Sequence, residues 1–146
     1  MTAISEKAIQ NFQGGLNCAQ AIVAAYADTL KIDHQLALSM SCAFGGGMGR
    51  LQETCGAVTG SYMVLGVYNG QKYFDNKERK ERTYALVQEF SRRFKEKHGS
   101  TDCIDLLGCD LNTAEGQQAV RDKDLHRVVC DTCIVNAVNI VNELLR

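Results

Sequence analysis

Leu125-His-Arg-Val-Val-Cys130-Asp-Thr-Cys133-Ile134-Val-Asn-Ala137-Val-Asn-Ile140-Val141-Asn-Glu-Leu144-Leu145 is the stretch that sets the fold class. Cys130, Cys133 with Ile134, Ala137, Ile140 with Val141, and Leu144 recur at steps of three and four. That spacing predicts one buried face on a helix over residues 125–145. The same period returns at 75–97, where Thr83, Leu86, Val87, Phe90 and Phe94 form the stripe. Gly99 follows at the place of a left-handed C-terminal residue.

Further outward, Asn17 caps a helix over 17–30 and Asp33 one that runs to about residue 43. Glu53 or Thr54 opens another through residue 68. Residues 5–12, 103–107 and 113–120 read as shorter helices. With no proline in the chain, glycine and polar caps are the only punctuation. No alternating run of β-branched residues lasts long enough for a strand. The expectation is an all-α, single-domain helical bundle over residues 1–146, with about five main helices plus short helical turns.

Composition narrows the function. At 146 residues, a chain buries roughly 68–70% of its unfolded surface and needs no disulfide staples. Sixteen basic and seventeen acidic residues leave a net charge of −1, so no nucleic-acid partner is expected. The cluster Lys77, Arg79, Lys80 and Arg82 is interrupted by Glu78 and Glu81, as on a solvated helix face. The first residues do not read as a secretory signal. The apolar runs at 21–27 and 62–65 are far short of the ~20 residues of a membrane span. A cytoplasmic protein follows, in a compartment where cysteines bind metal or react more often than they cross-link.

Seven cysteines are present: Cys18, Cys42, Cys55, Cys103, Cys109, Cys130 and Cys133. An odd number argues against a fully paired framework. Cys18 follows Asn17 and Cys55 follows Thr54, each after a glycine-containing bend. Both thiols are therefore expected in the first turn of a helix, where unpaired N–H groups and the macrodipole favour a thiolate. Gly56 and Gly60 lie four apart in the helix that Cys55 begins. Each costs about 1 kcal/mol relative to alanine, so their flat strip is expected to receive a helix backbone or a cofactor. Gly45, Gly46, Gly47 and Gly49 before Arg50 fit neither a P-loop nor a dinucleotide fingerprint. They are expected to let backbone approach the Cys55 site, with Arg50 available to an anion.

Phe44-Gly-Gly-Gly-Met-Gly-Arg50 followed by Thr54-Cys-Gly-Ala-Val-Thr-Gly60 resembles the C_GCAxxG_C_C family of redox-active proteins. The family name writes glycine before cysteine, whereas this chain reads Cys55-Gly56-Ala57. The likeness extends over nearly the whole chain, through Asn17-Cys18-Ala19-Gln20-Ala21, Cys103 before Leu106-Leu107, and Cys130. It implies a site of four cysteines, Cys18, Cys55, Cys103 and Cys130, as redox groups or metal ligands. Gly46, Gly47, Gly49, Arg50, Gly56 and Gly60 border it. A related domain joined to multihaem cytochrome modules implies electron transfer and an iron–sulfur centre. Cys42, Cys109 and Cys133 have no family role.

Three chemistries suit such thiols. An iron–sulfur cluster takes four thiolates, although the dispersed spacing is unlike ferredoxin runs. Dithiol–disulfide exchange suits Cys130-Asp131-Thr132-Cys133, a CxxC with no preceding strand, or Cys18 with Cys55. Structural zinc usually shows two CxxC knuckles, and this chain has one; His126 could join Cys130 and Cys133 as a ligand or decorate the start of the last helix. His34 and His98 read as solvent-facing at helix ends. An unidentified redox partner protein is implied by electron transfer. Against all three stands a helical interaction module with inert cysteines and the last helix as a homodimer face.

Overall fold

Short polar side chains open the helices, because the first N–H groups of a helix have no partner within it. In the computed structural model, which describes residues 1–146, Thr2 caps α1 (Ala3–Gln13) and Asn17 caps α2 (Cys18–Leu30), each in a reciprocal capping box. Asp33 caps α3 (His34–Ser41). Further on come α4 (Gly56–Lys72), α5 (Asn76–His98), α6 (Cys103–Leu107), α7 (Ala114–Asp122) and α8 (Asp131–Leu144). There is no strand; one isolated antiparallel bridge pairs Thr54 with Asp102. The fold is all-α.

The α2 helix is the centre of the bundle because it is built of small residues. Ala19, Ala21, Ala24, Ala25 and Ala27 are buried along it, so neighbouring backbones come close. The strip on α4 uses that space. A Cβ at Gly60 would lie 2.9 Å from the Ala19 carbonyl oxygen, and one at Gly56 2.9 Å from the Ala19 nitrogen. Helix packing, rather than a cofactor, therefore occupies the face at Gly60. The apolar face of α8, with Ile134, Ala137, Val138, Ile140 and Val141, completes the core against Phe90 and Phe94 of α5. Tyr26 reaches across from α2 to donate to Asn142 Oδ1 at 2.6 Å.

Two local departures from regular helix prepare the site. Gly46, Gly47, Met48, Gly49 and Arg50 all have positive φ, between 62° and 68°. Such consecutive residues make a left-handed turn, closed by the Gly49 N–H on the Gly45 carbonyl. Gln52 is left-handed as well, at φ 56°. Each residue with a Cβ in this conformation costs roughly 1–2 kcal/mol, so Met48, Arg50 and Gln52 carry strain that the surrounding contacts offset. The second departure is a π turn, His126–Cys130, running into α8, with the Asp131 N–H on the His126 carbonyl. The residue period alone predicted one continuous helix from 125; the extra residue of the π turn resets which side chains face the core.

Candidate functional site

Backbone pairing brings Cys55 and Cys103 together. The Cys55 N–H donates to the Thr101 carbonyl at 2.8 Å, and the Cys103 N–H donates to the Glu53 carbonyl at 2.6 Å. The left-handed turn then closes over them: a Cβ at Gly47 would lie 2.7 Å from Cys103 Cβ. Gln52, buried under this turn, is the clamp. Its amide donates to the Cys109 carbonyl at 2.8 Å, accepts from the Leu111 N–H at 2.7 Å, and lies 4.0 Å from Cys103 Sγ.

Cys18 begins α2 beside the start of α4, and the π turn brings Cys130 to it from the other side. Cys18, Cys55, Cys103, Cys130, Cys133 and Cys42 all line one cleft of about 1080 Å³. Gly46, Gly47, Gly49, Arg50 and Gly56 line it too, whereas Gly60 and Cys109 do not. All seven cysteines are free thiols.

Within the cleft the thiols shift one another's proton affinity in two couples, Cys18 with Cys130 and Cys133 with Cys55. In each couple one thiol, Cys130 or Cys55, holds the charge more easily and the other, Cys18 or Cys133, keeps its proton. The Cys18 thiol and the His126 ring, whose Nδ1 is 3.7 Å away, bring Cys130 down to about 6 against the opposing effect of burial. Its thiolate in turn raises the His126 pKa. The neighbouring Cys133 thiol lowers Cys55, helped by the backbone N–H groups of Ala57 and Val58 in the first turn of α4.

Expectations for individual residues change accordingly. Cys55 is the N-cap residue of α4, so Thr54 is not. A helix start was expected to favour thiolates at both Cys18 and Cys55. Only Cys55 behaves so; the Cys18 pKa is raised by Cys130, by burial and by neighbouring thiolates. Burial and the charges of Cys55 and Cys130 push Cys103 to about 12. Cys130 and Cys133, the CxxC couple, are both free thiols on the same cleft.

His98 is not solvent-facing. Its ring lies 4.4 Å from that of Phe94, between Asn136 and Cys133. With the Asn136 amide donating to Nε2 at 3.0 Å, the neutral ring carries its proton on Nδ1, toward Cys133 Sγ at 4.0 Å. Desolvation lowers the His98 pKa and keeps that neutral form. His98, which touches Cys133 from behind the cleft, is the neighbour that sequence reasoning misplaced; His126 and Cys133 were candidates there without a settled role. For His98 the only signal was its place in the last turn of a long helix, whose facing was not yet known.

Residues 16–144 match the family model described as "Putative redox-active protein (C_GCAxxG_C_C)". The chain belongs to the C_GCAxxG_C_C family. No curated protein and no solved structure matched it. In this family member no helix is long and apolar enough to cross a membrane. No three of its histidine, cysteine and carboxylate side chains are placed to hold one metal ion.

One consequence concerns stability. Cys18, Cys103 and Cys133 keep their protons in the fold well above the range of an unfolded thiol, ~8.5. Above that pH the unfolded chain binds fewer protons than the native one, so stability falls as pH rises. For Cys130 and Cys55 the sign is opposite: between about 6 and ~8.5 the unfolded thiol of Cys130 holds a proton the native one has lost, and stability rises with pH. Urea midpoints of the fully reduced protein should therefore fall between pH 8.5 and 10. A midpoint that climbs across that interval contradicts the assignment.

Proposed function

We propose that this protein is a dithiol–disulfide redox protein in which Cys130 is the attacking thiolate and Cys18 the resolving thiol. The observation that carries the reading is the position of Cys130 Sγ, 3.7 Å from the His126 ring nitrogen and on the same cleft as the Cys18 thiol. A neighbouring cation and a hydrogen-bond donor are what hold a cysteine ionised and reactive near neutral pH.

The step balances with a partner disulfide as oxidant. The Cys130 thiolate attacks one partner sulfur, forming a mixed disulfide and releasing the other as a thiolate. Cys18 gives up its proton and attacks Cys130 Sγ, which forms Cys18–Cys130 and releases the second partner thiol. Two thiols are oxidised by two electrons and one disulfide is reduced; the Cys18 proton ends on the second partner thiol, and the first leaves as a thiolate that takes its proton from water. Cys55 with Cys133 forms a second, more deeply buried dithiol. Cys103, held protonated beside the Gln52 amide, has no partner thiol in this scheme. A reducing, cytoplasmic setting suits seven free thiols.

Anaerobic purification followed by an absorption spectrum, metal analysis and a thiol redox titration tests the proposal. A colourless, metal-free protein that takes up two electrons at a defined potential is expected. A brown protein with iron and sulfide in stoichiometric amounts would replace this reading with an iron–sulfur carrier.

A further inference from the structure

We propose that the cleft takes as its redox substrate a small disulfide bearing carboxylate groups, which Arg50 and Arg121 hold at the mouth. The inference rests on the exchange reading above and narrows its oxidant from any disulfide to one class.

The first argument is depth. Cys130 and Cys18 are half-buried, and Cys55 and Cys133 fully so, whereas Arg50, Arg121 and Arg127 stand exposed on the same cleft. The oxidant has to bring its sulfur down past these side chains. A cleft of about 1080 Å³ matches the upper range of small-molecule sites. A disulfide fixed on a protein surface is poorly shaped to enter it.

The second argument is charge. Arg127 is neutralised by Asp124 at 2.6 Å, and His126 faces the Cys130 sulfur. Arg121 contacts only the amide oxygen of Gln118, at 2.8 Å. Arg50 makes no ion pair, and its side chain lies over Gly46, where a Cβ would come within 2.9 Å of Arg50 Cγ. The remaining carboxylate on the cleft is Asp131, one of whose oxygens is buried away from water without a partner. Two uncompensated guanidiniums are thus concentrated at the mouth, on a chain whose net charge is −1.

The third is strain. Arg50 is held in the left-handed region at φ 62°, and its carbonyl is fixed by the Asn112 amide at 2.7 Å. A flexible surface arginine has no need of that conformation. Strain of this kind persists where it places a side chain for use. Guanidinium geometry suits carboxylates through paired N–H groups.

In the reaction, Cys130 attacks one sulfur of the bound disulfide and releases a carboxylate-bearing thiolate, which takes its proton from water. Cys18 then displaces the second thiol from Cys130 as above.

The test compares three oxidants on the reduced protein: glutathione disulfide, neutral hydroxyethyl disulfide and cationic cystamine. Glutathione disulfide is expected to react fastest, and its advantage should shrink in ~0.5 M salt, where the Debye length is only a few ångströms. In the double variant Arg50→Gln/Arg121→Gln, the ratio of its rate to that of hydroxyethyl disulfide should fall about three- to tenfold, the worth of two exposed ion pairs. Equal rates for all three oxidants, or cystamine the fastest, would overturn the inference and leave the exchange reading standing. If Cys130 exchanges with none of them, the exchange reading itself is lost.

Discussion

At pH 6, iodoacetamide should modify Cys130 first, about tenfold faster than an ordinary free thiol. With a pKa of about 6, half of Cys130 is thiolate at that pH, against roughly 0.3% for a thiol of pKa ~8.5. The thiolate of the more acidic thiol is a weaker nucleophile, which reduces the gain from a hundredfold or more to about ten. Cys55 is also favoured as a thiolate but is buried and held by Cys133, so it should not compete.

The rate profile should bend near pH 6, and variants should move the bend in a stated order. Cys18→Ala removes the strongest contribution, the Cys18 thiol, and should shift it up by about one pH unit or more. His126→Gln removes the second partner and should shift it less. In Cys130→Ser the acid limb disappears. A profile that bends only above pH 8 in the wild type would contradict the account.

Gly47→Ala should destabilise the protein by about 2–5 kcal/mol, overpacking and backbone strain together. The added methyl meets backbone, which cannot swing aside: Gln52 Cα at 2.6 Å and the Gln52 carbonyl carbon at 2.8 Å, with Cys103 Cβ at 2.7 Å. The residue also sits at φ 68°, ψ 51°, where alanine is strained by roughly 1–2 kcal/mol before any contact is counted. Gly66→Ala in α4 is the control. A Cβ there meets nothing within 4 Å, so the better helix propensity of alanine should stabilise by up to about 1 kcal/mol. Denaturant midpoints measure both. A Gly47→Ala protein within 1 kcal/mol of wild type would mean that the left-handed turn is not locked around Cys103.

What could be read in the sequence follows from which rules are local. Caps and hydrophobic period are local, so Asn17, Asp33, Asp75, Thr113 and Gly99 fell at their helix ends. The convergence of Cys18, Cys55, Cys103 and Cys130 on one cleft was expected through family likeness, since no spacing rule links sulfurs so far apart. What escaped was set by tertiary structure. The π turn depends on one extra residue before Asp131, and no residue type announces it. Glycine spacing suggested a loop at 45–49, but a left-handed turn that includes Met48 and Arg50 is stabilised only by what it packs on. His98 looked like a solvent-facing residue at a helix end; its partners, Cys133 and Asn136, lie on α8.

Stoichiometric oxidation followed by disulfide mapping tests the account most directly. Cleavage before Asp131 separates Cys130 from Cys133, so their partners can be told apart. The predicted product joins Cys18 to Cys130. A bond between Cys130 and Cys133, or one that engages Cys103 first, would contradict it.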